Sequence, residues 1–148
     1  MREIRFRAKT VVRKQWAHGS LITYPDGSAD IHGVDILRTG SQRIEFMQVD
    51  RETACQFTGC YDKNCAEIYE GDIIKCCKGQ KRKSPSDEWE DDNEYYVVEY
   101  NGGSFSGVSA WCLSLDAVEV IGNKLDNPNL VKKYVRQRKT TKISKGNL

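Results

Sequence analysis

The stretch Cys55–Cys76 reads C-Q-F-T-G-C-Y-D-K-N-C-A-E-I-Y-E-G-D-I-I-K-C. Two glycines, an Asp62-Lys63-Asn64 turn and a short apolar run entering at Ile73 mark it as a junction between two β-rich halves. Asn64 tolerates left-handed backbone better than most residues do. Gly71 suits a tight bend before a strand at Ile73–Cys77.

Upstream of the junction, Glu3, Ile4, Arg5, Phe6 and Arg7 alternate, which is the pattern of a half-buried strand with a charged outer face. Val11 and Val12 would extend it after a break. Trp16–Tyr24 runs into Pro25-Asp26-Gly27-Ser28, where proline pre-sets φ and glycine accepts a positive value, and Ala29–Val34 returns. Residues 35–43 form an irregular connection with Gly40. Ile44, Phe46 and Gln48 then share one strand face, with Glu45, Met47 and Val49 on the other. Asp50–Thr53 is a polar turn, and Ala54–Thr58 an extended piece leading to Gly59.

Downstream, residues 78–94 place Lys78, Lys81, Arg82 and Lys83 before Asp87, Glu88, Glu90, Asp91, Asp92 and Glu94, a block expected to be a solvated, mobile loop. Tyr95–Tyr100 is a strand by composition. Asn101-Gly102-Gly103 turns it back into Ser104–Ser109, with Phe105 and Val108 as core contacts. Trp111–Leu115 and Ala117–Ile121 add two short strands. Asn127 and Pro128 open a helix whose Leu130, Val131, Tyr134 and Val135 make one apolar stripe.

The chain has 148 residues, 39% hydrophobic and 30% charged, enough for a globular core. Its net charge of +2 is unevenly spread. Residues 132–148 hold Lys132, Lys133, Arg136, Arg138, Lys139, Lys142 and Lys145 and no acid, leaving about −5 for the remainder. No run is apolar enough to span a bilayer, and the charged N-terminus lacks the apolar core of a signal peptide. A cytoplasmic location follows as the expectation, with the six cysteines mostly reduced.

Several segments together carry a resemblance. They are Met1-Arg2-Glu3-Ile4-Arg5-Phe6-Arg7-Ala8, Gly19-Ser20-Leu21-Ile22, Gln56-Phe57-Thr58-Gly59, Asp62-Lys63-Asn64 and Glu67-Ile68-Tyr69-Glu70-Gly71-Asp72-Ile73, followed by Val118-Glu119-Val120-Ile121-Gly122-Asn123 and Asn127-Pro128. In this order they resemble the YopX family of phage and prophage proteins, almost end to end. The chain departs from the family at Cys65, where glycine is favoured, at Cys60, where an aliphatic residue is common, and at Lys9, where a tryptophan is usual. The resemblance implies a β-rich fold whose later part is similar to an SH3-like barrel, and an origin in a phage or prophage within a bacterial host. It implies no activity.

The expected architecture is therefore mainly β: an N-terminal β-meander (1–58), an SH3-like barrel lobe (59–123) with the charged loop 78–94, and a C-terminal helix with a basic tail (124–148). Candidate chemistry is sparse. Cys55-x4-Cys60-x4-Cys65, with Cys76, Cys77 and Cys112, lies at the edge of zinc-ligand spacing without a paired knuckle, and small apolar packing is the simpler reading. Asp62, Glu67, Glu70 and Asp72 would serve hydrolysis or magnesium only if they converged on a cleft, whereas turns use such residues for backbone bonds. His18 and His32 lie in one hairpin, and the simple register sets His32 beside Leu21. Trp16, Trp89 and Trp111 read as core or loop anchors. No catalytic motif, cofactor site or metal site is expected. The leading expectation is a non-enzymatic accessory protein working through a protein partner or a homo-oligomer. The alternative is nucleic-acid binding by Lys132, Lys133, Arg136, Arg138, Lys139, Lys142 and Lys145, through phosphate contacts.

Overall fold

The strand patterns organise two compact units, Met1–Gly59 and Cys60–Leu148. The structure, a computed structural model, describes residues 3–36, 42–106 and 117–134. The chain is mainly β, with open sheets and one α-helix among the described residues.

In the first unit, β1 (Phe6–Lys9), β2 (Trp16–Thr23), β3 (Ala29–Ile36), β4 (Gln42–Val49) and the start of β5 (Cys55–Tyr61), whose last two residues belong to the second unit, follow the strand order β4-β3-β2-β1-β5. β1 starts later than the charge alternation suggests, and Val11–Arg13 form a turn. Ala8 is the fully buried residue of β1, whereas Ile4 is exposed. On the opposite face of β1, Arg7 and Lys9 lie over the Trp16 ring and Arg5 over that of Phe57. β2 changes partner along its length: Trp16–Gly19 pair with β1, and Ser20–Thr23 with β3. Glycine makes that crossing possible. A Cβ on Gly19 would stand 2.1 Å from the His32 carbonyl oxygen, and one on Gly33 would stand 2.8 Å from that of His18. Small residues also dominate the core, where Ala8, Ala17 and Ala29 pack with Ile31 and Val49. The close approach they permit brings the ends of β1 and β4 together through a Thr10–Val49 bridge. Two backbone bonds flank it, Val11 N to Gln48 O at 3.0 Å and Asp50 N to Lys9 O at 2.8 Å.

The Pro25–Ser28 turn forms as expected, with Asp26 Oδ1 accepting from the Ser28 N–H and hydroxyl. These bonds hold the Asp26 carboxyl below its ordinary pKa, the Ser28 hydroxyl contributing most. The turn sets Thr23 opposite Ala29, so His32 faces Ser20 and not Leu21, a correction of one residue. Residues 35–36 and 42–43 belong to β3 and β4, which shortens the expected irregular connection. Asp50 caps a 3-10 turn at Arg51–Thr53 by accepting from Glu52 N–H.

In the second unit, β6 (Glu67–Tyr69) precedes β7 (Asp72–Lys81), β8 (Glu90–Val97), β9 (Glu99–Asn101), β10 (Ser104–Ser106), β11 (Val118–Asn123) and α1 (Pro128–Tyr134). One sheet has the order β11-β7-β8, and β9–β10 form a separate ribbon. Ile68, Ile74, Cys76, Val98 and Val118 form the core, with Cys60, Tyr96, Phe105 and Val120 packed on it. No closed barrel is found among the described residues, so the SH3-like barrel expected for this lobe is not seen as one. The helix keeps its stripe of Leu130, Val131 and Tyr134 half-buried, and Tyr134 stacks on Tyr95 at 4.0 Å.

The largest correction concerns residues 78–94. They are mostly strand: β7 runs to Lys81 and β8 begins at Glu90, leaving only 82–89 as the connection. The charge blocks that suggested a loop lie opposite one another across an antiparallel pair, where unlike charges favour pairing. Lys78 reaches Glu94 at 2.8 Å, and Lys81 reaches Asp92. The strand expected at Trp111–Leu115 and the core contact Val108 fall outside the described residues, as do Gly40, Cys112 and Val135.

Candidate functional site

The Asp62-Lys63-Asn64 turn is built around one buried carboxylate. Asp62 Oδ1 accepts from the N–H groups of Asn64 at 2.8 Å and Ala66 at 2.9 Å. Its Oδ2 accepts from Val120 N–H at 3.0 Å, across a separation of 58 residues. Lys63 N–H donates to the Val118 carbonyl at 2.9 Å, and Lys63 Nζ pairs with Glu119 at 2.7 Å. The turn thus lies along β11, with a side-chain oxygen serving where a strand would offer a carbonyl. Burial pushes the Asp62 carboxyl upward in pKa. The N–H groups of Val120, Ala66 and Asn64, with the Lys63 charge, outweigh that effect and hold it below its ordinary value. An ionised acceptor with both oxygens engaged is a folding element.

The other candidate carboxylates are also used locally. Asp72 is buried, and its Oδ2 accepts from Tyr69 N–H at 2.8 Å. Glu67 accepts the Tyr69 hydroxyl at 2.7 Å. Glu70 is half-buried on the approach to Gly71. Gly71 is pinned from both sides, donating to Val98 O at 2.7 Å and accepting from Lys124 N–H at 2.8 Å, with φ at 81°. Among the described residues no group of three or more His, Cys, Asp or Glu is arranged to hold a metal ion.

The cysteines occupy unlike places. Cys55 is buried and donates to the Thr53 carbonyl, Cys76 belongs to the second core, and Cys77 and Cys65 are exposed. Cys65 has φ of 61°, a left-handed conformation that a Cβ disfavours, as its departure from a family glycine foretells. His18 is exposed and faces Arg7 across β1–β2. Of the basic residues, Lys132 and Lys133 are exposed in the last turn of α1. Arg136, Arg138, Lys139, Lys142 and Lys145 lie outside the described residues. Lys133 sits over the Tyr134 ring, whose stacking on Tyr95 occupies the aromatic group that a base would use. Trp89 is exposed with Arg82 over its ring, while Trp16 is half-buried and Trp111 is outside the described residues.

One surface was not singled out by the sequence reading. On the outer face of β2–β4, Phe46 is 65% exposed and Ile44 62%, and Ile22 and Tyr24 are also exposed. His32 packs edge-on against Phe46 with centroids 4.2 Å apart. Its Nε2 is buried with no hydrogen-bond partner among the described residues. The alternation at 44–48 was legible, but which face would be covered was not.

A family model described as YopX protein matches residues 5–132. No curated protein matches the chain. Among solved structures, protein EF1440 from Enterococcus faecalis is similar, with 22% identity and a TM-score of 0.55 over 88% of this chain and 99% of that one. Likeness at that identity is one of fold. Among the described residues no helix is long and apolar enough to cross a membrane.

Proposed function

The chain belongs to the YopX family, and from that premise we propose a non-enzymatic phage or prophage accessory protein that acts through protein–protein contact or self-association in the host cytoplasm. The observation that carries this reading is the apolar outer face of β2–β4, with Ile44 and Phe46 largely exposed on one sheet surface. Adjacent large apolar side chains facing water favour a covering partner. The engagement of Asp62, Asp72 and Glu67 in backbone and tyrosine hydrogen bonds supports the absence of catalysis. Sedimentation over a wide concentration range, with capture of partners from a bacterial lysate, tests the reading. Association should weaken in Phe46→Ser. A strict monomer that captures no protein would overturn the proposal.

A second reading rests on Lys132 and Lys133, exposed at the start of a stretch, 132–148, that holds seven cations and no acid. Phosphate contact there would fall steeply with salt. Removing 132–148 should abolish the salt dependence of nucleic-acid binding, and unchanged affinity after that removal would exclude the tail as the contact.

A further inference from the structure

We propose that two copies of the chain pair through β4, antiparallel, with Ile44 of one copy opposite Ile44 of the other. The inference rests on the self-association reading above and gives it an edge and a register. Among the described residues β4 is the terminal strand of its sheet order. Which of its backbone groups face that edge follows from one bond: Gln48 O accepts from Val11 N–H, on the side away from β3. Backbone groups alternate sides along a regular antiparallel strand, and β3–β4 pair from Ala29–Val49 to Ile36–Gln42 without a register shift. Gln42, Ile44 and Phe46 therefore turn their N–H and C=O groups to the edge, and the intervening residues bond to β3. Such an edge is a template for another strand.

Two-fold pairing must set these residues opposite one another, which leaves few registers. Placing Ile44 opposite Phe46 sets Glu45 against Glu45 and uses Gln48, whose carbonyl already serves Val11. A shift the other way sets Arg43 against Arg43. Placing Phe46 opposite itself again draws on Gln48 and sets Arg43 and Glu45 opposite Val49 and Met47. With Ile44 opposite Ile44, only Gln42, Ile44 and Phe46 supply backbone groups. Arg43 then faces Glu45 of the other copy twice, in the closely spaced positions where side chains meet best. Within one copy these two residues already pair at 3.6 Å, so association asks them only to exchange partners. The same register sets the exposed Ile44 side chains against each other on the outer face.

The test combines mass in solution with register-specific cross-linking. The unaltered chain is expected to be a dimer. Ile44→Pro removes only an edge-facing N–H, which edge strands tolerate, and should give a folded monomer. Arg43→Glu and Glu45→Arg should each weaken the dimer roughly ten- to thirtyfold, by turning two attractive pairs repulsive, and the double exchange should restore it. If Ile44→Pro fails to fold, the charge exchange decides. Ile44→Cys should cross-link to its own copy, since directly opposed hydrogen-bonded residues lie about 5.5 Å apart between Cα atoms, within disulfide reach. Glu45→Cys should not exceed the background set by the native Cys65 and Cys77. A dimer that survives Ile44→Pro, is not rescued by the double exchange and fails to cross-link at 44 overturns the edge pairing and leaves self-association standing. A monomeric unaltered chain overturns both.

Discussion

Removing the Asp62 carboxylate takes away a buried acceptor of three backbone hydrogen bonds in the second unit. Asp62→Ala leaves the N–H groups of Asn64, Ala66 and Val120 without their acceptor. Hydrogen bonds to charged groups contribute about 1.5–3 kcal/mol each. Asn64 and Ala66 are exposed enough for water to replace the carboxylate, whereas the bond to Val120 joins the turn to β11. The expected loss is therefore about 3 kcal/mol, below the sum of three bonds. With a urea slope near 1.5 kcal/mol/M, that lowers the midpoint of the second unit's transition by roughly 2 M. Amide exchange at Val120 should accelerate in step, while exchange in the first unit's Ala8–Ala17 core should be unchanged. The pH dependence has a definite sign. The folded-state pKa of Asp62 is lowered from 3.8, so its contribution is complete above that value and is lost as pH falls through the folded one. Asp62→Asn should cost about 2 kcal/mol near neutrality and flatten the acid dependence below about pH 4. A loss under about 1 kcal/mol for Asp62→Ala, or an acid transition identical in Asp62→Asn, would refute the role assigned to this carboxylate.

Three further outcomes follow from single positions. Cys65→Gly should raise stability by about 1 kcal/mol, because φ of 61° is costly for a residue with a Cβ; thermal denaturation reads it directly. Gly71→Val should lose about 3 kcal/mol or more, since a β-branched residue at φ of 81° is strained and its Cβ would meet Lys124 Cε at 3.2 Å. Urea midpoints compared with those of Lys124→Ala/Gly71→Val separate the backbone strain from the contact. Lys81→Ala should leave the urea midpoint nearly unchanged, as its bridge to Asp92 is exposed, and a clear loss in low salt would show the β7–β8 charges acting as a network.

The strand faces were readable because a period of two shows in the residues themselves: Met47 and Val49 against Ile44 and Phe46, Cys76 against Cys77. The turns were readable where geometry demands particular residues, as at Pro25–Ser28, Gly71 and Asn101–Gly103. Charge was misleading at 78–94, because a block of lysines followed by a block of acids looks the same whether it is solvated loop or two strands zipped face to face. Only the register of β7 with β8 distinguishes them.

By itself the sequence determined a β-rich chain, its family and the unusual residue at position 65. Each of these depends on local pattern or on order along the chain. Tertiary structure decided what the polar residues are for. Asp62 reads as a turn residue until Val120 is brought to it from 58 positions away, and the two faces of the 44–49 strand stay equivalent until Met47 and Val49 take the buried one. Long-range backbone partners and the covered side of a sheet leave no periodic mark in a single sequence, since both arise only when distant strands meet.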